Sequence, residues 1–278
     1  MTSIPNYRLN DGNDLPAFGF GTYPLTGDDG ARAIGTAIDA GYRLLDTAVN
    51  YGNEDAVGRA IAASGVARDD FLITTKVPGR HHGRDVTASF NQSLAALGVD
   101  TIDLYLIHWP NPSVGLFVET FESMIRFQDR GLVRSIGVSN FTIEFLTRLK
   151  NETGLFPAVN QIELHPYFPQ TELLAFHAAN GIRTESWSPL GKASDVKSAE
   201  AVTTAASAHG VTPAQAILRW HVQLGSIPLP KSADPVRQLE NLDVFGFELT
   251  DAEMAAITAL GRKDGRLFGG DPLTHEEQ

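Results

Sequence analysis

Ile102-Asp103-Leu104-Tyr105-Leu106-Ile107-His108-Trp109-Pro110 is the stretch on which the fold turns. A strand with one wet face alternates apolar and polar residues. This run does not, so both of its faces are covered, as in parallel sheets flanked by helices. Seven more short runs of the same character predict strands: Phe18–Gly21, Tyr42–Asp46, Phe71–Lys76, Val133–Ser139, Ala158–Leu164, Arg183–Trp187 and Ser226–Pro230. Helix-like stretches lie between them. Thr87–Leu97, Val114–Arg130, Glu172–Asn180 and Thr212–Leu224 each stop at a glycine: Gly98, Gly131, Gly181 and Gly225. Glycine accepts the left-handed backbone that ends a helix. Thr212-Pro213 is a helix start, a capping hydroxyl followed by proline at the first helical position.

Eight such units in 278 residues predict an α/β fold, a (β/α)8 TIM barrel. The competitor is an open doubly wound sheet, which carries Gly-x-Gly-x-x-Gly after its first strand. Gly19-Phe20-Gly21-Thr22-Tyr23-Pro24 does not complete that motif. Tyr7–Pro16, with Asp11-Gly12 at its centre, reads as a β-hairpin capping the bottom of the barrel. Extra helices are expected near the C-terminus, around Pro235–Asn241 and Thr250–Leu260, and then a polar tail over 261–278 lying against the barrel. No linker or low-complexity tract divides the chain, so 1–278 is read as one domain.

Composition narrows the function. Apolar residues make up 42% and charged residues 20%, the balance of a folded globule. A net charge of −11 disfavours nucleic acid or an anionic membrane as the main partner. The absence of cysteine excludes disulfides, thiolate nucleophiles and iron–sulfur clusters. Neither a signal peptide nor an apolar stretch of about 20 residues is visible, so a cytoplasmic protein without a membrane span is expected.

Active groups of such barrels gather at the C-terminal ends of the strands. Asp46, Lys76, His108 and Ser139 fall there, spaced 30, 32 and 31 residues, about one βα unit each. Each has an ordinary structural reading when taken alone. Lys76 would be an ion-paired end group, His108 a core histidine and Tyr51 a packing residue. Their arrival at neighbouring strand ends favours chemistry. Asp46 would keep Lys76 protonated, and the ammonium would lower the phenol pKa of Tyr51 from its ordinary value of about 10. Tyr51 would then protonate a carbonyl oxygen oriented by His108. His81-His82 has no third ligand at metal spacing.

Six ordered motifs carry a resemblance to a known family. They are Gly41–Glu54, Ile73–Lys76, Asp103–Pro110, Gly137–Phe141, Asn160–Pro166 and Pro230–Ser232. Together they resemble the aldo-keto reductases from about Tyr7 to Leu260. Trp187-Ser188-Pro189-Leu190 and the short Trp109-Pro110-Asn111-Pro112 loop are most similar to the bacterial 2,5-diketo-D-gluconate reductases. The resemblance implies a tetrad of Asp46, Tyr51, Lys76 and His108, and NADPH lying across the barrel mouth. It places Ser139, Asn140 and Gln161 at the nicotinamide carboxamide and Trp187 on the ring, where many relatives carry tyrosine. Gly21, Thr22, Ser188 and Leu190 complete the cofactor floor. Lys231, Ser232 and Arg237 would take the 2′-phosphate, with Glu240 and Asn241 facing the adenine. Asp234, inside that loop, could weaken the phosphate site.

Tyr23, Trp109 and Phe268 are the expected substrate-pocket residues. Many relatives carry tryptophan two residues after the tetrad lysine. Here Val77-Pro78-Gly79-Arg80 stands there, so one aromatic wall is missing or supplied from elsewhere. Arg80 and His82, if they reach the mouth, would attract a carboxylate. The reading is an NADPH-dependent monomer reducing small keto or diketo compounds such as 2,5-diketo-D-gluconate. The alternatives are an NADPH-binding regulatory barrel and a Schiff-base aldolase using Lys76.

Overall fold

The protein is seen in a computed structural model that describes residues 4–277. Strands β1 (Asn6–Arg8) and β2 (Asp14–Pro16) form an antiparallel hairpin. Eight parallel strands follow in sequence order around one sheet: β3 (Phe20–Gly21), β4 (Leu44–Asp46), β5 (Leu72–Val77), β6 (Ile102–Ile107), β7 (Val133–Ser139), β8 (Val159–Glu163), β9 (Arg183–Trp187) and β10 (Ile227–Pro228). Each lies within one residue of, or inside, an expected run.

The barrel closes between β3 and β10. Gly19 N donates to Pro228 O at 3.1 Å and Gly21 N to Pro230 O at 3.2 Å. Pro228 and Pro230 have no N–H to return, so the seam is bonded in one direction only, and its two strands are correspondingly short. Both glycines are required by space. A Cβ on Gly21 would sit 2.8 Å from Leu229 O, and one on Gly19 would sit 2.6 Å from the Leu229 side chain.

Helices α1 (Gly27–Ala40), α2 (Glu54–Ala63), α3 (Val86–Leu97), α4 (Phe117–Asp129), α5 (Ile143–Thr153), α6 (Thr171–Ala179), α7 (Glu200–His209) and α8 (Pro213–Gln223) cover the sheet, with α9 (Pro235–Leu242) and α10 (Asp251–Thr258) added late in the chain. All four expected stop glycines are left-handed. Thr212 and Gln215 form a full capping box at the start of α8, with Pro213 in the first turn. The structure adds α1, α2, α5 and α7, which the periodicity did not single out. Glycines dilute the helical signal of α1 and α2, yet Gly58 serves packing: a Cβ there would lie 2.4 Å from Leu97 O of α3. None of the described helices is long and apolar enough to cross a membrane.

The strand alternation sorts the core. Leu104 and Leu106 of β6 point into the barrel with Leu44, Val159, Ile227 and Leu229. Tyr105 and Ile107 point outward into the layer shared with the helices. Leu9 and Leu15 of the hairpin belong to the interior cluster, so the hairpin plugs the barrel bottom as expected. Asn10 Nδ2 bonds Pro157 O and Asn13 Nδ2 bonds Arg134 O, pinning the plug to the lower rim. Leu15 is 1% exposed. Leu15→Ala is expected to cost about 2–5 kcal/mol in urea unfolding, the range for truncating a buried leucine. An unchanged midpoint would mean that the hairpin is not part of the core.

Candidate active site

The barrel walls deliver charge to one point. Lys76 lies beside Leu106 in the β5–β6 register and shares its inward side. It is fully buried, and its Nζ meets four oxygens: Asp46 Oδ1 at 2.7 Å, Asp46 Oδ2 at 2.8 Å, Thr47 O at 2.9 Å and Tyr51 Oη at 3.3 Å. Burial alone would lower the lysine, but Asp46 and Tyr51 outweigh it and hold Lys76 above its ordinary value. A Schiff-base lysine needs the opposite, a free amine of lowered pKa.

Tyr51 hangs from a short 3-10 turn, Val49–Tyr51, that Gly52 ends in a left-handed conformation. Asn53, fully buried, fixes this loop: its Oδ1 accepts from Thr47 Oγ1 at 2.6 Å, and its Nδ2 donates to Thr22 O and Leu25 O. The Lys76 ammonium also stands 4.8 Å from the centre of the Tyr51 ring. The expected lowering of the phenol is corrected here. Burial pushes Tyr51 up to about 12, and the Lys76 charge offsets only part of that rise. The group therefore keeps its proton at neutral pH. Its oxygen accepts from Lys76, which leaves the O–H to donate into the cleft.

Beneath the lysine the network continues through Gln161 to Glu185, which sequence reading did not assign. Gln161 Nε2 donates to Asp46 Oδ1 and to Glu185 Oε2, both at 2.8 Å. Burial, with Asp46 adding to it, pushes Glu185 up to about 8, so at neutral pH it is largely protonated and adds no second full charge beside Asp46. A glutamate inside the run Arg183–Trp187 was the available signal. Likewise Glu54 Oε1 accepts from Thr75 Oγ1 at 2.6 Å and braces β5 from behind.

A continuous cleft of about 1330 Å³ runs from Tyr51 and His108 across the mouth. It brings together the expected residues apart from Lys76, which lies behind Tyr51: Gly21, Thr22, Tyr23, Asp46, Trp109, Ser139, Asn140, Gln161, Trp187, Ser188, Leu190, Lys231, Ser232, Arg237, Glu240, Asn241 and Phe268 all line it. Lys192 and Lys197 line it too and were not anticipated. Asn140, left-handed at φ 63°, donates to His108 O at 3.0 Å and accepts from Trp187 Nε1 at 2.8 Å. The indole is thereby held by its edge. Ser139 Oγ donates to Gln161 O at 2.8 Å. Tyr23 packs on Tyr51 with ring centres 5.1 Å apart, and Phe268 on Trp187 at 5.9 Å.

At the far end, in the phosphate-type loop, Asp234 Oδ1 caps α9 through Val236 N at 2.9 Å, and its other oxygen makes a long ion pair with Arg237 Nε at 3.9 Å. Glu240 accepts from Thr212 Oγ1 at 2.7 Å, tying α9 to α8. The carboxylate-attracting role of His82 is overturned: the ring is buried, and desolvation lowers it to about 4, so it is neutral. Arg80 donates to Asn50. The tail crosses the mouth, with Leu267 N on Glu163 Oε1 at 2.7 Å and the His275 ring 4.2 Å from Trp109.

Comparison with known proteins places this arrangement. The aldo/keto reductase family model matches residues 17–262. A curated relative named 2,5-diketo-D-gluconic acid reductase B, from Corynebacterium sp., is 58% identical over 278 residues, covering 100% of both chains. An aldo-keto reductase of Mycolicibacterium smegmatis is 50% identical over 97% of this chain and 98% of its own. Among solved structures, a Gox0644 variant in complex with NADPH superimposes with a TM-score of 0.93 at 42% identity, covering 99% of each chain. An aldo/keto reductase from Brucella melitensis gives 0.89 at 46% identity, covering 93% of this chain and 100% of its own. With the barrel, the buried Lys76–Asp46 pair beside Tyr51 and the matched length in agreement, the chain belongs to the aldo/keto reductase family and is an oxidoreductase that reduces carbonyl groups.

Proposed function

We propose that the protein is an NADPH-dependent reductase of small aldehydes, ketones and diketo acids, of which 2,5-diketo-D-gluconate is the leading candidate. The observation that carries it is the Tyr51 phenol. It accepts from a buried, acid-paired lysine and faces a cleft that continues to the exposed cations Lys231 and Arg237. The name of the relative at 58% identity, a 2,5-diketo-D-gluconic acid reductase, supports the substrate class.

The cleft fits a dinucleotide. Its volume exceeds that of an ordinary small-ligand pocket. One end offers Lys231, Arg237 and the Ser232 hydroxyl, a set suited to a phosphate monoester. The other offers the face of Trp187 and the polar atoms of Ser139, Asn140 and Gln161. Those residues would hold NADPH, which when bound would supply the hydride for the carbonyl carbon. Tyr51 donates its proton to the carbonyl oxygen, and Lys76 stabilises the phenolate that remains. Asp46 keeps the lysine charged and aimed. His108 orients the same oxygen. Tyr23, Trp109 and Phe268 enclose the rest of the substrate. We read residues 1–278 as one barrel domain acting as a monomer.

Three outcomes are expected. Tyr51→Phe should lower kcat by about 10²–10⁴-fold, the usual contribution of a general acid, and leave the NADPH dissociation constant within about twofold. A fully active variant would remove Tyr51 from the mechanism. Lys231→Gly should weaken NADPH by about 1.5–3 kcal/mol and leave NADH unchanged, because only the former carries the 2′-phosphate. Equal loss for both cofactors in fluorescence titration would reject that assignment. Because the raised phenol keeps its proton until about pH 12, reduction should show no loss attributable to Tyr51 ionisation between pH 7 and 10. A pH–rate profile with an alkaline limb in that range, retained when His108 is replaced by Asn, would contradict it. A panel of diketo acids, sugars, dicarbonyls and aromatic aldehydes decides the substrate.

A further inference from the structure

At Val77-Pro78-Gly79 the mouth is met by the chain's own tail. Glu277 enters this space with its side chain 9% exposed. Its Oε2 accepts from Gly79 N at 3.0 Å, and its Oε1 accepts from Asn50 Nδ2 at 2.6 Å. Its backbone is clamped twice by Asn111, whose Nδ2 donates to Glu277 O at 2.8 Å and whose Oδ1 accepts from Glu277 N at 3.1 Å. Asn111 is itself 2% exposed and left-handed at φ 45°. Gly79 must be glycine for this clamp, since a Cβ there would lie 2.1 Å from Asn111 Nδ2. One residue before, Glu276 Oε1 takes the amide of Ser113 at 2.8 Å. So many anchors make this a fixed part of the mouth rather than a loose cover.

The carboxylate so held has one further neighbour. Glu277 Oε1 lies 2.6 Å from His108 Nδ1, off the line of an ideal hydrogen bond, and this buried nitrogen has no hydrogen-bond partner among the described residues. We propose that Glu277 is a positioning residue for His108: its carboxylate beside Nδ1 fixes the orientation of the ring and favours a proton on it, so that the other ring nitrogen is turned to the substrate carbonyl. The proposal rests on the assignment of His108 to carbonyl reduction.

Electrostatics gives the direction. An opposite charge within about 4–6 Å favours the charged form of a titratable group. Burial alone would raise Glu277, but His108, the Gly79 amide and Asn50 together hold it below its ordinary value, so the carboxylate is charged at neutral pH. Other groups face the pair. Tyr51 stands 5.6 Å from His108 ring to ring, with Lys76 and Asp46 behind it. From the segment after β5 come Arg80, bonded to Asn50, and the neutral His82; Glu276 comes from the tail. Of these carboxylates, Glu277 is the one in direct contact with the imidazole.

The test is a titration of the His108 ring by NMR in the full-length protein without cofactor, assigned by difference from His108→Asn. Glu277→Gln keeps shape and acceptor but removes charge. Its His108 midpoint should fall by about one pH unit, a tenfold loss of imidazolium at a given pH, and Glu277→Asp should recover part of it. Asn111→Ala, which frees the tail without touching the ring, should shift the midpoint the same way. In NADPH-linked aldehyde reduction, the alkaline fall in kcat/KM should move down by the same amount in Glu277→Gln, with the NADPH dissociation constant within about twofold. An unmoved midpoint, or a rate loss equal at every pH, would reduce Glu277 to a structural clamp and overturn the proposal. Failure of the wild type to reduce any carbonyl would instead sink the reductase reading, and the NMR shift would still report on the Glu277–His108 pair.

Discussion

A lysine ammonium enclosed by protein at the top of a barrel is the constraint that organises this molecule. A charge taken out of water is tolerable only when geometry compensates it, and removing one partner from such a pair costs about 3–5 kcal/mol. Here the compensation is Asp46 on the adjacent strand, meeting Lys76 with both carboxylate oxygens. The two come from neighbouring strands, β4 and β5, which pair in parallel register and so bring their upper ends together.

From this pair the polar network grows in both directions. Upward, it fixes the phenol and leaves its proton for the cleft. Downward, Gln161 links Asp46 to Glu185, which is largely neutral because burial disfavours its charged form and the nearby Asp46 carboxylate adds to that. Sideways, Asn53 joins three backbone segments, so the phenol's loop cannot drift. The acid has a raised pKa, contrary to the simplest argument from a nearby cation. Desolvation of the ring outweighs one ammonium, and a phenol that stays protonated is what a proton donor for reduction requires.

Much of the fold was legible. Unbroken apolar runs at about 30-residue spacing are a direct consequence of parallel strands covered on both faces, and stop glycines marked helix ends that recur as left-handed residues. In α1 and α2, Gly30 and Gly58 answer to close packing against Leu25 and Leu97 rather than to the helical pattern. The site was legible where groups sit at strand ends. Glu185 was overlooked, being a charge in a run read as core, and His82 was misjudged because burial cannot be read from a basic side chain alone.

The order of residues by itself determined the barrel, the strand ends that carry Asp46, Lys76 and His108, and the tyrosine beyond. These follow from periodicity and spacing, which are local properties. Only the tertiary structure decided that the phenol is raised rather than lowered, that Asp234 spends its carboxylate on a helix cap, and that Glu277 reaches His108 from the opposite part of the chain. The physical reason is common to all three. Desolvation and through-space charge depend on what lies within a few ångströms, and sequence separation does not encode that distance.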